Sequence, residues 1–184
     1  MVRKRTDLLE FAVLGVLHDS PLHGYELRKR LAGVLGPFRA ISYGSLYPAL
    51  KDLLSRGLIA ETGPDPTPAL SSRRARIVYG LTASGKERFD SLVQQAGPDS
   101  WDDEAFAAHL AFFSLTPEEV RLRILEGRRS RLEERLATLR ASLTESVERV
   151  DAYTLKLQRH GLDGVEREVR WLNELIDSER NTPG

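Results

Sequence analysis

The residues best placed to do chemistry lie in one stretch, Ile41 to Ile59, and the chemistry they suit is contact with a polyanion. On a helix advancing 100° per residue, Gly44, Pro48, Lys51 and Ser55 share one face, with Ser45 and Tyr47 on its flanks. That face is small, hydrogen-bonding and poor in acid, so it can lie close against a phosphate backbone. Periodicity alone is equally compatible with an ordinary surface helix. A second group, Arg73, Arg74 and Arg76, ends a Pro-rich loop and is placed to reach phosphates or a minor groove. No catalytic constellation accompanies them. There is no G-x-S-x-G, no phosphate-cradling glycine loop and no cluster with metal-ligand spacing. His18, His23, His109 and His160 are scattered. Asp102-Asp103-Glu104 reads as acid in a first helical turn, complementing the helix dipole. The expectation is a protein that is not an enzyme, with no catalytic residue, metal or cofactor.

The elements around this stretch make it the second helix of a helix-turn-helix. Ser42 has the chemistry of an N-cap, and Ile41 with Leu46 forms a hydrophobic staple. Leu46, Leu50, Leu53 and Leu54 form the inward face. Pro48 removes a backbone donor, which predicts a bent or loosened first turn. Gly57 stands where a left-handed C-cap is expected, and Leu58-Ile59 begins a strand. Upstream, Leu22 to Val34 reads as the preceding helix, with Leu27, Leu31 and Val34 inward and Gly36-Pro37 as the turn. Downstream, Arg76 to Leu81 reads as a second strand, so two strands and a Pro-rich loop make a wing. Thr82 caps a further helix through Ala96. The first helix, Asp7 to His18 with Asp7 as N-cap, is apolar almost all round and needs partners on more than one side.

Charge divides along the chain. Residues 1–82 hold 12 Lys+Arg against 7 Asp+Glu, and residues 83–184 hold 15 against 20, so a basic half precedes an acidic one. Only the first half is suited to a polyanion. The absence of Cys rules out disulfides and thiolate chemistry. The apolar run near the start is interrupted by Asp7 and Glu10 and lacks a cleavage site, so no signal peptide, no membrane partner and a cytoplasmic location are expected.

Gly97-Pro98 suggests a domain boundary, giving 1–97 and 98–184. Trp101 to Phe113 is apolar on two faces and predicts a sandwiched helix. Thr116-Pro117-Glu118-Glu119 starts a helix that the pattern carries to Arg159, with Gly161 closing it. Leu132, Leu136, Leu139, Leu143, Val147, Val150, Thr154 and Leu157 recur at coiled-coil spacing, a seam that asks for a second chain. Such a helix would be roughly 65 Å long, so it needs a partner or a break, with Gly127 the weak point. A last helix carries Leu172 on its stripe, while Trp171 lies off that stripe and meets a second surface. The expected fold is mainly α with a small β wing: a winged helix-turn-helix followed by a helical, coiled-coil-like dimerisation domain.

Leu22-His23-Gly24-Tyr25-Glu26-Leu27, Gly44-Ser45-Leu46-Tyr47-Pro48-Ala49-Leu50 and Tyr79-Gly80-Leu81-Thr82-Ala83-Ser84-Gly85 together resemble the PadR family of transcriptional regulators. The resemblance covers residues 8–90 closely, and residues 100–180 resemble the longer subgroup's C-terminal domain in helix pattern only. It implies a homodimeric repressor that binds inverted repeats in double-stranded DNA and is released by a small-molecule effector. It also implies DNA contacts at Tyr43, Gly44, Ser45, Tyr47 and Lys51 on the recognition helix, and at Arg73, Arg74 and Arg76 in the wing. The alternative is a winged helix used as a protein-interaction module, with the coiled coil as adaptor.

Overall fold

The computed structural model describes residues 2–35, 43–62, 77–146 and 151–181. Helices α1 (Val2–His18), α2 (Gly24–Leu35), α3 (Tyr43–Ser55) and α4 (Ala83–Val93) are accompanied by a three-stranded antiparallel sheet of β1 (Leu22–His23), β2 (Ile59–Thr62) and β3 (Val78–Leu81), in the order β1-β3-β2. The wing hairpin pairs Ile59 with Leu81 and Thr62 with Val78. Strand β1 is the start of the segment that the sequence suggests is wholly helical: Leu22 pairs with Tyr79 before α2 begins at Gly24. Helix α5 (Asp103–Ala111) follows, and then α6 (Glu118–Ser146) and α7 (Ala152–Asn181).

The chain divides into two compact units. One is Met1–Gln95 with Asp103–Thr116, and the other is Ala96–Asp102 with Pro117–Gly184. In the first, α1 is the central rod. Leu9, Phe11, Ala12, Val13, Leu14, Val16 and Leu17 are all buried, so its own unit covers the all-round apolar surface and no second chain is needed for it. The helix also begins earlier than expected. No Gly or Pro interrupts Val2–Thr6, and Asp7 is interior and not an N-cap. Gly15 is the point of closest approach, since a Cβ there would fall 2.4 Å from the Phe112 ring.

Phe11 stacks on Phe89 at 5.6 Å, meets Phe112 edge-on at 5.3 Å and packs on the His109 ring at 4.6 Å. His109 Nδ1 has no hydrogen-bond partner among the described residues, and burial pulls its pKa from 6.5 down to about 4. The folded unit therefore refuses a proton that the unfolded chain accepts between those values, so stability falls as pH drops through that window. Chemical denaturation is expected to find the unit roughly 2 kcal/mol less stable at pH 5 than at pH 7. His109→Phe should remove most of that difference. An unchanged pH dependence in the variant would remove His109 as its source.

In the second unit α6 and α7 form an antiparallel hairpin, with Arg121 paired to Glu179 near one end and Arg140 to Glu166 farther along. The continuous helix to Arg159 is not formed. Asp151 starts a new helix instead: its Oδ1 accepts from the Tyr153 and Thr154 backbone N–H groups, and Thr154 Oγ1 donates to its Oδ2. Those hydrogen bonds hold Asp151 well below the usual carboxylate range. A capping side chain at the right spacing overrides a hydrophobic repeat that continues through it. Gly161 then lies inside α7 and does not close a helix. Gly127 is no break either. The Trp101 indole rests against it, and a Cβ there would be 2.1 Å from the ring. Arg128, nearly buried, donates to the Trp101 carbonyl at 2.8 Å and to Glu168 Oε1.

The hairpin also changes what the leucine repeat does. Leu132, Leu136 and Leu172 are buried within the single chain, and Leu139 and Leu143 are half-buried. Val147 and Val150 lie outside the described residues. Leu157 and Trp171, by contrast, are exposed, as is Tyr153.

Candidate nucleic-acid interface

Helix α3 is anchored from beneath by Leu46, Leu50 and Leu53, all but fully buried, with Leu54 half-buried beside them. Its opposite face is open: Gly44, Ser45, Pro48, Lys51, Asp52 and Ser55 are exposed. The helix runs unbroken past Pro48, whose missing donor falls on the carbonyl of the first turn and leaves the rest of the ladder intact. Gly57, at φ +68°, closes it. Gly57 N–H donates to the Leu54 carbonyl and Leu58 N–H to the Leu53 carbonyl, each at 3.0 Å, the pattern of a left-handed helix stop. Strand β2 follows after three residues, Arg56, Gly57 and Leu58, so α3 and the wing hairpin are joined by a short, hydrogen-bonded link.

The other predicted contacts are placed unevenly. Tyr43 opens α3. Tyr47 is half-buried against the core, its hydroxyl near Gly24 at the start of α2. Ser42, Arg73, Arg74 and Arg76 lie outside the described residues. The wing strands that lead to those arginines are ordered, with Thr62 Oγ1 donating to the Val78 carbonyl.

Two features escape a reading of the sequence. Tyr25 on α2 is 59% exposed, and Lys29, one turn on, is also exposed. Both sit off the Leu27/Leu31 face, which is the pattern that could have revealed them. The second is a charge cluster at the end of α3. Arg56 donates to both oxygens of Glu10, at 2.7 and 3.2 Å, and Arg88 Nε donates to Oε1 at 2.8 Å. Burial of Glu10 works to raise its pKa, but the bonds and charges of Arg56 and Arg88 outweigh it and hold the carboxyl below its ordinary value. An acid inside the apolar run from Leu8 to Leu17 was the available signal.

A cleft of about 440 Å³ lies in the same unit between α1, α2 and α5, with Val16, Val34, Phe112 and Leu115 on its walls and Asp19 and Arg30 among its polar groups. Among the described residues no group of His, Asp and Glu is arranged to hold a metal ion, and no helix is long and apolar enough to cross a membrane.

Residues 13–91 match the family described as transcriptional regulator PadR-like. Over 99 residues the chain is 31% identical to the negative transcriptional regulator PadR of Bacillus subtilis (strain 168), which covers 53% of this chain and 52% of that protein. The match thus spans about half the length of that relative. Among solved structures, B. subtilis PadR in complex with operator DNA aligns over 93% of this chain and 98% of that one, at 22% identity and a TM-score of 0.43. The same protein in complex with p-coumaric acid aligns over 95% and 99%, at 22% identity and a TM-score of 0.42. The likeness is carried by the sequence match over residues 13–91, and not by these superpositions.

Proposed function

From the premise that residues 13–91 belong to the PadR-like family of transcriptional regulators, we propose that this chain is a sequence-specific DNA-binding repressor acting as a homodimer on an inverted repeat. The observation that carries the reading is α3: three buried leucines hold it from below, and Gly44, Ser45, Pro48, Lys51 and Ser55 are presented outward. Lys51 supplies the charge, Ser45 the hydrogen bonding and Gly44 the room for close approach. Tyr47 flanks that face, Tyr43 at the start of α3 adds a contact, and Arg73, Arg74 and Arg76 supply the wing's contacts to phosphate or minor groove. In this reading residues 1–97 serve DNA contact and residues 98–184 assembly and response, with Asp103–Thr116 packed into the first compact unit.

The homodimer is supported by α7. Tyr153 and Trp171 stand about five turns apart on one side, with Leu157 close to the same line. These exposed apolar groups, 81%, 39% and 71% accessible, suit protein contact, and a second copy supplies it most economically through a two-fold interface. The same stripe is the observation that favours the alternative, an adaptor for a different protein. A small-molecule effector is part of the reading, and the cleft between α1, α2 and α5 has the volume for one.

Lys51→Ala is the first test. A cation that neutralises one phosphate acts through counterion release, so its loss should weaken binding to a selected duplex and reduce the salt slope by about one unit. Melting should be unchanged, because the side chain is exposed. Unchanged slope together with unchanged affinity would remove Lys51, and with it this face, from the interface.

A further inference from the structure

We propose that Glu10 and Arg56 are positioning residues for DNA recognition: Glu10 anchors Arg56, and Arg56 covers Asp52, the acid that α3 carries beside Lys51. The inference rests on the reading of α3 as the DNA-facing helix.

Asp52 is the single carboxylate of α3, and it lies between Lys51 and Ser55 on the exposed side. Uncovered, it would repel a phosphate backbone brought against that side. Arg56 Nη1 donates to Asp52 Oδ2 at 3.0 Å, one helical turn away. Such an exposed i,i+4 pair, with side chains 40% and 52% accessible, is by itself weak and readily exchanged for water or for a phosphate. Here the guanidinium is tied down. The same Nη1 donates to Glu10 Oε2 at 2.7 Å and Nη2 to Oε1 at 3.2 Å, a two-pronged grip on a carboxylate that is only 8% exposed. Arg88 Nε, donating at 2.8 Å, holds Glu10 from the α4 side.

The arrangement has two consequences. The four groups Arg88, Glu10, Arg56 and Asp52 sum to zero charge, which leaves Lys51 as the net charge of the helix surface. The C-terminal end of α3 is also clamped to α1 and α4 through one atom group, which fixes its orientation where the Gly57 stop hands over to β2. An arginine serves better than a lysine here, because a planar fork bonds two carboxylates at once and a single ammonium holds them less firmly.

The test uses the full chain and a short duplex recovered by selection with the wild-type protein, with binding read by fluorescence anisotropy and folding by thermal melting. Arg56→Gln is expected to weaken binding about tenfold while the protein stays folded. Adding Asp52→Asn to that variant should bring the affinity back to within about threefold of wild type, a larger gain than Asp52→Asn gives alone. Glu10→Gln should weaken binding in the same direction and be rescued by the same change. Arg56→Lys, which keeps the charge and loses the fork, should fall between wild type and Arg56→Gln. It supplies a second folded variant. A merely structural clamp would not be rescued by neutralising Asp52. Binding by Arg56→Gln equal to wild type, or no rescue by Asp52→Asn, overturns the proposal while the DNA-binding reading stands. Failure of the wild-type chain to select any duplex overturns both.

Discussion

Gly85→Ala is expected to cost the winged helix roughly 3–5 kcal/mol, more than any other single methyl group added to the first unit. Gly85 lies in the first turn of α4, and a Cβ on it would sit 1.9 Å from the Leu58 carbonyl oxygen and 2.9 Å from Leu81 Cδ1. The nearest atom is backbone and has little room to yield. Leu58 O accepts from the Thr82 N–H at 3.2 Å and from Thr82 Oγ1 at 3.0 Å, while Gly85 N–H donates back to Thr82 Oγ1 at 3.0 Å. One added methyl group therefore pushes on the start of β2, the cap of α4 and the β3 terminus together. Glycine is needed here for clearance, not for an unusual φ. Chemical denaturation of the variant beside the wild type measures the loss. A cost below about 1 kcal/mol would mean that α4 and β2 can separate without consequence.

Gly85 also shows where the sequence stops being legible. Gly57 could be assigned from sequence because a helix stop is a local event, written in a glycine after a run of periodic leucines. The roles of Gly85, Gly15 and Gly127 are set by what a distant segment places against them: Leu58, Phe112 and Trp101 respectively. Gly127 thus looks like a weak point in a helix and is in fact a seat for an indole. The seam from Leu132 to Leu157 misleads for a related reason. Hydrophobic spacing records that a face is buried without recording by what, and here α7 of the same chain covers much of it. The cap that divides the two helices was readable in Asp151 and Thr154, but an unbroken repeat ran across it. Strand β1 has only two residues, and its pairing with β3 cannot be seen until both are placed.

The candidate interface was more legible than the assembly. Which side of α3 is open follows from four leucines at helical spacing, since periodicity and burial are the same physical fact on one helix. The charges that serve that face were not legible, because Glu10 is 46 positions from Arg56 and 78 from Arg88. Glu10 reads as an acid that interrupts an apolar run, and only the fold brings it to the end of α3.

The largest effect on function is expected at Gly44. It lies in the first turn of α3 on the open side, in a helix whose N-terminal end would approach base edges in a groove. A branched side chain there holds the helix off the duplex without entering the core. Gly44→Val should lower affinity for a selected duplex by about a hundredfold, as losing one or two base contacts does at roughly 1–3 kcal/mol each. Stability should change by less than about 1 kcal/mol, the cost or gain of a helix propensity change at an exposed site. The pairing of these two numbers matters, since a substitution that unfolded the domain would lower binding for an uninformative reason.

The most direct measurement is the affinity of the wild-type chain and of Gly44→Val for the same selected duplex, taken with the thermal melt of each. The account predicts that the wild type binds a site with two-fold symmetry, its half-sites about 34–36 Å apart or a multiple of that. Gly44→Val should melt with the wild type and bind about a hundredfold more weakly. Equal affinity of the two folded proteins would contradict it, and so would a Gly44→Val chain that melts early while each folded molecule binds normally. Either result would place the open face of α3 away from DNA.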